Sequence, residues 1–321
     1  MNHNSISEWL NGWRLRLLIV SIVLAATGYI SVSLWVGWED VSAAVVRIGP
    51  MIICLSLLLS LLNYGLRFVR WELYLRQLSY TIVSKTNISI YLSGFALTTT
   101  PAKAGEALRA VLLKPYGVRY SDSLAALLSE RVSDLLAVLI MAAIGISQYP
   151  QYEPLIWIFA LLIPAFWLLI ASKKLLNSIH IISIRLPAIL AKIAEKILQI
   201  LETTRRCHPP LLIVQASILS LIAWGAEGVA FYAILQQLQS SISLETALFI
   251  YATAMLAGAA SFMPGGLGGA ELAMTGLLHL NGMPVADAIA ASLVIRLATL
   301  WFAVVLGLIF LTQEIRRISN D

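Results

Sequence analysis

Charge is scarce in this sequence: 12% of its residues are Asp, Glu, Lys or Arg, against 59% hydrophobic, and its mean hydropathy is +0.84. So few charges cannot clothe a soluble domain, and no stretch is polar enough to form a large one, so the chain reads as an integral membrane protein. Cysteine is nearly missing too. Cys54 and Cys207 give neither a disulfide framework nor a thiolate metal site. The histidines, His3, His180, His208 and His279, are scattered without ligand spacing, so no metal and no cofactor is expected. There is no Asp-x-Asp pair, P-loop or histidine cluster to mark a catalytic loop, so no enzymatic reaction is expected. A net charge of +5 is compatible with nucleic acid, but the cations collect on one side of the apolar stretches, so no nucleic-acid partner is expected.

Six apolar stretches are present, at residues 17–36, 49–68, 123–147, 155–171, 211–235 and 287–311. Arg14 and Arg16 precede the first; Arg67, Arg70, Arg76 and Lys85 follow the second; Arg316 and Arg317 follow the last. Under the positive-inside rule both termini are cytosolic, and the first stretch is an anchor that stays. Every other cation is cytosolic save Arg47 outside and Arg131 and Arg296 within the membrane. Residues 175–206 repeat Ile189, Ile193, Ile197 and Leu201 opposite Lys192, Glu195, Lys196, Gln199 and Glu202. That pattern is an amphipathic helix, lying on the inner leaflet or against a partner.

One pattern occurs twice. Glu106, Gly117, Asp122 and Arg131 recur as Glu271, Gly282, Asp287 and Arg296, each 165 positions on. Each copy has a short apolar run, a Pro/Gly break, a short return helix, a turn and a long apolar helix carrying the arginine. Residues 88–100 reach about 20 Å as a helix, too short for a hydrocarbon core of about 30 Å. Each break is therefore expected to make a re-entrant helical hairpin, the first entering from the cytosol and the second from outside. The expected architecture is an all-α polytopic protein of two inverted-topology repeats with about six full spans. It forms one membrane domain over 1–321, with repeat 1 at about 49–147, a linker span and amphipathic helix at 155–206, and repeat 2 at about 211–312. Inverted repeats with broken helices suit alternating-access transport, though duplication could also simply stabilise a bundle.

Charges inside such a domain are the candidate site. Glu106 and Arg131 are 25 apart, as are Glu271 and Arg296, so each pair either clamps a hairpin to the next helix or leaves guanidinium donors for a phosphate. Lys103 and Arg109 flank the first break, where an anionic head group is the natural partner. Gly265, Gly266, Gly268 and Gly269 either present backbone amides to that head or serve tight packing. Glu130, Asp134 and Glu227 are either neutralised by the arginines or carry a proton or ion.

These residues also carry a resemblance. The runs TPAKAGEALRAVLL, SERVSDLLAV and MPGGLGGAE, with the later IRL, resemble the flippase-like membrane domain of the lysylphosphatidylglycerol synthase family and its stand-alone relatives. Ala102 and Ala104 depart from it, standing where glycine is expected. The resemblance covers the membrane domain and not the synthase domain, so it implies movement of lipid between leaflets and not aminoacyl transfer. The resulting expectation is a translocase for an anionic-head lipid, such as a modified phospholipid or polyprenyl-phosphate lipid, in the bacterial cytoplasmic (inner) membrane. A lipid synthase or glycosyltransferase is the candidate partner, with the oligomeric state left open. The alternatives are a membrane-embedded lipid-modifying transferase and a non-transporting assembly partner of one.

Overall fold

The computed structural model describes residues 38–99, 106–146, 172–184 and 187–320, with single positions at 27, 154, 157, 161 and 165. The expected first span, most of the fourth and the first break with Lys103 lie outside the described residues. The described residues are helix and turn without strand. Among the described residues, three helical stretches are long and apolar enough to cross a membrane: Trp38–Gln77, Pro210–Gln237 and Val285–Arg317.

Helix α1, Trp38–Gln77, is kinked at Gly49, whose φ is 72°, because Pro50 offers no amide to continue the ladder. It runs past the expected end of the second apolar stretch, and this changes the setting of two cations. Arg67 and Arg70, expected in a cluster at the membrane edge, are buried against the protein on α1. The reason is spacing: Ser56, Ser60, Asn63, Arg67, Arg70 and Tyr74 form one buried polar stripe three or four residues apart, so the helix has an apolar outer face and a polar inner one. The outer face shows Met51, Leu55, Leu58 and Leu62.

The chain next forms α2, Ser84–Ser93, which tightens into a 3-10 turn over Gly94–Leu97, and then the short α3, Leu108–Leu112. Helix α4, Tyr120–Ile144, has 25 residues, about 37 Å at roughly 1.5 Å per residue, long enough to span although it carries Asp122, Glu130, Arg131 and Asp134. The amphipathic stretch contains two helices, α5, Lys173–Ile184, and α6, Ala188–Arg206, the second starting after Pro187, whose backbone is not helical at ψ 146°. Ile189, Ile193 and Ile197 of α6 are exposed. Helices α7, Pro210–Gln237, α8, Leu244–Ala260, and α9, Gly269–Leu280, follow, with a turn over Pro264–Gly266. Helix α10, Val285–Arg296, continues through a π turn, Leu297–Trp301, into α11, Phe302–Asn320.

The two copies share their turn chemistry. Helix α1 ends with Tyr80 N–H bonded to the Leu75 carbonyl and Ser79 at φ 67°; α7 ends with Ser240 N–H bonded to Leu235 and Gln239 at φ 57°. Those features are 160 positions apart. The turns before α4 and α10 pair Val118 with Leu113 and Met283 with Leu278, around Gly117 and Gly282 at φ 81° and 84°, and are 165 apart. The second copy therefore has five more residues, all between the end of its first helix and its return helix.

Helices α1 and α7 run antiparallel side by side, as the bonds from Asn63 to the Ala223 carbonyl and from Gln237 to the Arg47 carbonyl require. Two apolar cores lie toward opposite ends of this pair. One joins the start of α1 and the end of α7 to α8, α9 and α10; the other joins the end of α1 and the start of α7 to α2, α3 and α11. Of the buried charges, Glu130, Asp134 and Glu227 lie on the middle turns of α4 and α7.

Candidate functional site

Four arginines and three acids meet beside the first copy. Arg70, fully buried, bonds Asp134 at 2.6 Å and reaches Glu130 at 3.4 Å, with the Ser220 hydroxyl as a third partner. Arg109 pairs with Glu130 at 2.9 Å and Glu106 at 3.0 Å, while the rings of Trp71 and Tyr91 flank its guanidinium at 4.4 and 4.8 Å. Arg131 reaches Glu106 at 3.1 Å and Asp134 at 3.4 Å. Arg67 approaches Asp134 at 3.6 Å, and Trp224 donates to that same carboxylate at 3.0 Å. Burying so many ions is tolerable only because each carboxylate has more than one guanidinium near it.

At the second copy the ion pair is anchored to a backbone carbonyl. Arg296 bonds Glu271 at 2.6 Å and the Gly265 carbonyl at 2.7 Å, so it ties the return helix and the hairpin tip to α10. Tyr251 donates to Glu227 at 2.6 Å. Arg296 is the last residue before the π turn, where one widened turn offsets its face from the helix that follows. The Arg–Glu pairs expected at a spacing of 25 are both present.

Other expected residues sit differently. Arg109 is sandwiched between rings and two carboxylates rather than open at a mouth. Glu130 and Asp134 are neutralised mainly by Arg70, Arg67 and Arg109, two of which hydropathy had assigned to the cytosol. Gly265, Gly266 and Gly268 have φ of 64°, 69° and 81°, and a Cβ at Gly266 would sit 3.1 Å from the Gly258 backbone. These glycines thus make the turn and the close packing of α8 on the tip. Gly269 lies over Ser261, whose side chain a Cβ would meet at 2.8 Å. The glycine turn also approaches the first copy: a Cβ at Gly265 would be 3.4 Å from Thr99 Cα and from Leu300.

Two cavities adjoin these charges. A groove of about 290 Å³ has Arg131, Asp134 and Arg296 at its polar part and Leu135, Val138, Leu256, Phe262 and Met263 along its apolar part. A smaller cavity of about 40 Å³, room for a water or two, is lined by Arg67, Thr98, Glu106, Glu227, Tyr251 and Arg296 among others. Trp224, Met255 and Arg296 line both and form the wall between them.

A helical protein with three long apolar helices among the described residues and a buried ion network is a polytopic membrane protein. The chain belongs to the family described as the lysylphosphatidylglycerol synthase TM region, whose model matches residues 15–307. It is similar to a UPF0104 membrane protein of Methanothermobacter thermautotrophicus, 27% identical over 295 residues and covering 86% of this chain and 87% of that protein. A UPF0104 membrane protein of Pyrococcus horikoshii is 23% identical over 316 residues, covering 89% and 94% respectively.

Proposed function

We propose that the protein is a lipid translocase, of flippase or scramblase type, moving a lipid with an anionic head between leaflets of the cytoplasmic membrane. The observation that carries this reading is the groove of about 290 Å³, charged at one part by Arg131 and Arg296 and apolar along the rest. A cavity of that polarity fits an amphiphile: a phosphate has guanidinium donors to meet and a chain has Leu135, Val138, Phe262 and Met263. A modified phospholipid and a polyprenyl-phosphate lipid both have this form. A lipid synthase or glycosyltransferase would supply it. The relatives named above are archaeal, so a bacterial inner membrane rests on the sequence reading alone.

In this reading the two copies stand upside down to each other and their hairpins are re-entrant, with both termini cytosolic. The antiparallel course of α1 and α7 and the matched turns ending at Ser79 and Gln239 support it. The approach of Thr99 and Gly265 is then a closed gate between hairpin tips, and alternating access is its opening toward one leaflet at a time. The test is reconstitution of the purified protein into liposomes with fluorescent anionic lipid in one leaflet. Protein-dependent loss of leaflet asymmetry is the expected result; asymmetry that persists as in empty liposomes, for both phospholipid and polyprenyl-phosphate probes, overturns the proposal.

A further inference from the structure

A pocket of about 240 Å³ opens where α1 ends and α2 begins, lined by Glu72, Arg76, Thr81, Val83, Ser84 and Asn87 among others. It shares no residue with the groove or the small cavity. Beside it is the first turn of α2, whose amides at Ser84, Lys85 and Thr86 have no earlier carbonyl in the helix to bond. No side chain caps them, because the residue before the helix is Val83, and the first turn has no acidic residue. The second copy meets the same need internally. There the residue 160 positions on from Val83 is Ser243, whose hydroxyl accepts from the Thr246 amide, and Glu245 stands in the first turn of α8.

A second observation points to an acceptor in this space. Asn87 is 1% exposed, and its carboxamide oxygen accepts from the Trp71 indole at 3.2 Å. An indole N–H only donates, so this bond fixes which way round the amide sits. The NH2 group of Asn87 is left for the pocket, and it makes no hydrogen bond to the described residues. A donor so deeply placed normally has a partner. Cations stand close by: Lys85 follows Ser84, and Arg317 of α11 donates to the Thr86 hydroxyl at 3.2 Å. Glu72, a carboxylate on the wall, is held by Arg76 at 2.8 Å. Helix amides, a carboxamide and cations gathered at one pocket suit an anion with several oxygens, and a phosphate can accept from all of them at once.

We propose that this pocket is a phosphate-binding site separate from the groove, in which the first-turn amides of α2 and the Asn87 NH2 group meet the phosphate oxygens. Arg76, Lys85 and Arg317 supply positive charge around it. The phosphate belongs to a lipid head or to a soluble compound, and the donors that recognise it are the same for both. Binding is reversible and no covalent bond changes. The inference does not depend on the translocase reading, since none of these residues lines the groove.

The test titrates the purified full chain in detergent with inorganic phosphate and, separately, with dihexanoylphosphatidylglycerol, read by calorimetry at constant ionic strength. Val83→Asp puts a carboxylate at the cap position, where Val83 is 74% exposed, so that the side chain itself takes up the helix amides and repels an anion. It is expected to raise the melting temperature and to weaken binding by about tenfold or more, what one hydrogen bond to a charged group is worth. Asn87→Asp keeps an acceptor for Trp71 and replaces the NH2 group with an oxygen, and should weaken binding at least as much. Should Asn87→Asp fail to fold, Val83→Asp decides alone. Binding of phosphate alone identifies a soluble ligand, binding of the lipid alone a head group, and binding of both a site that takes either; each upholds the inference when Val83→Asp weakens it. No binding of either probe, or unchanged affinity in folded Val83→Asp, overturns it. Lipid binding lost in Arg131→Gln and kept in Val83→Asp belongs to the groove and counts against this pocket. Phosphate binding weakened by Val83→Asp, without lipid transfer between liposome leaflets, would uphold the pocket and defeat the translocase reading.

Discussion

The two copies hold the same ion pair in different surroundings. At the first, Glu106 and Arg131 belong to a network with Arg67, Arg70, Arg109, Glu130 and Asp134, packed among Trp71 and Tyr91. At the second, Arg296 joins Glu271 to the Gly265 carbonyl of a glycine-rich turn and precedes a π turn. The difference teaches that sequence symmetry does not make the two sites equivalent. In the first, several arginines share the carboxylates, so the network acts as scaffold and Arg131 can turn toward the groove without stranding an acid. In the second, Arg296 fastens the glycine-rich turn and α9 to α10, so breaking its contacts loosens that turn.

Removing the centre of the scaffold should have the largest effect. Arg70→Ala leaves Asp134 and Glu130 without their fully buried partner and is expected to cost roughly 3 to 5 kcal/mol, seen as loss of monodisperse protein and a lowered melting temperature in detergent. Retention of wild-type stability would show that the remaining arginines suffice and would erase the distinction between the copies.

A second break concerns how tightly the first hairpin is held. Gly307 on α11 lies against the 3-10 turn of that hairpin, and a Cβ there would meet the Ala96 nitrogen at 2.1 Å. Gly307→Ala is expected to destabilise by about 1 to 3 kcal/mol through forced separation, whereas Gly276→Ala, with nothing within 4 Å of its Cβ, should be neutral or slightly stabilising by helix propensity. Equal melting temperatures for the two variants would contradict the packing described.

The comparison sharpens further with the paired arginines. Arg131→Ala leaves Glu106 with Arg109, and Asp134 with Arg70 and Arg67, so its cost in stability should be small. Arg296→Ala removes the contacts with both Glu271 and Gly265, and is expected to cost about 1 to 2 kcal/mol more, within the range for breaking charged hydrogen bonds. Proteolysis near residues 263–269 reads the same difference locally: faster cleavage in Arg296→Ala than in Arg131→Ala is expected. Identical behaviour would restore the symmetric view.

The pairs themselves were legible because the spacing from Glu to Arg repeats, and a charge inside an apolar helix must find a partner. The helical class was legible from hydropathy. Arg67 and Arg70 were missed because hydropathy ends a span at its first cluster of cations, although their steps of four and then three residues on from Asn63 continue the stripe begun at Ser56 and Ser60. Arg109 was recognised but misplaced, since only the fold brings Trp71 and Tyr91 over it. The π turn after Arg296 and the contact at Gly307 depend on distant helices, and a lone glycine in an apolar run does not announce its neighbour. The five extra residues of the second hairpin explain why the constant offset begins only after the break.

The central claim is that the groove arginines act on the lipid head while the arginines beneath them hold the fold. Its most direct measurement is the initial rate of anionic-lipid transfer between liposome leaflets by Arg131→Gln, alongside its melting temperature. The predicted result is transfer slower by about tenfold, the effect of losing roughly 1.4 kcal/mol of head-group interaction during passage, with melting unchanged. A folded Arg131→Gln that moves lipid as fast as the wild-type protein would contradict the account.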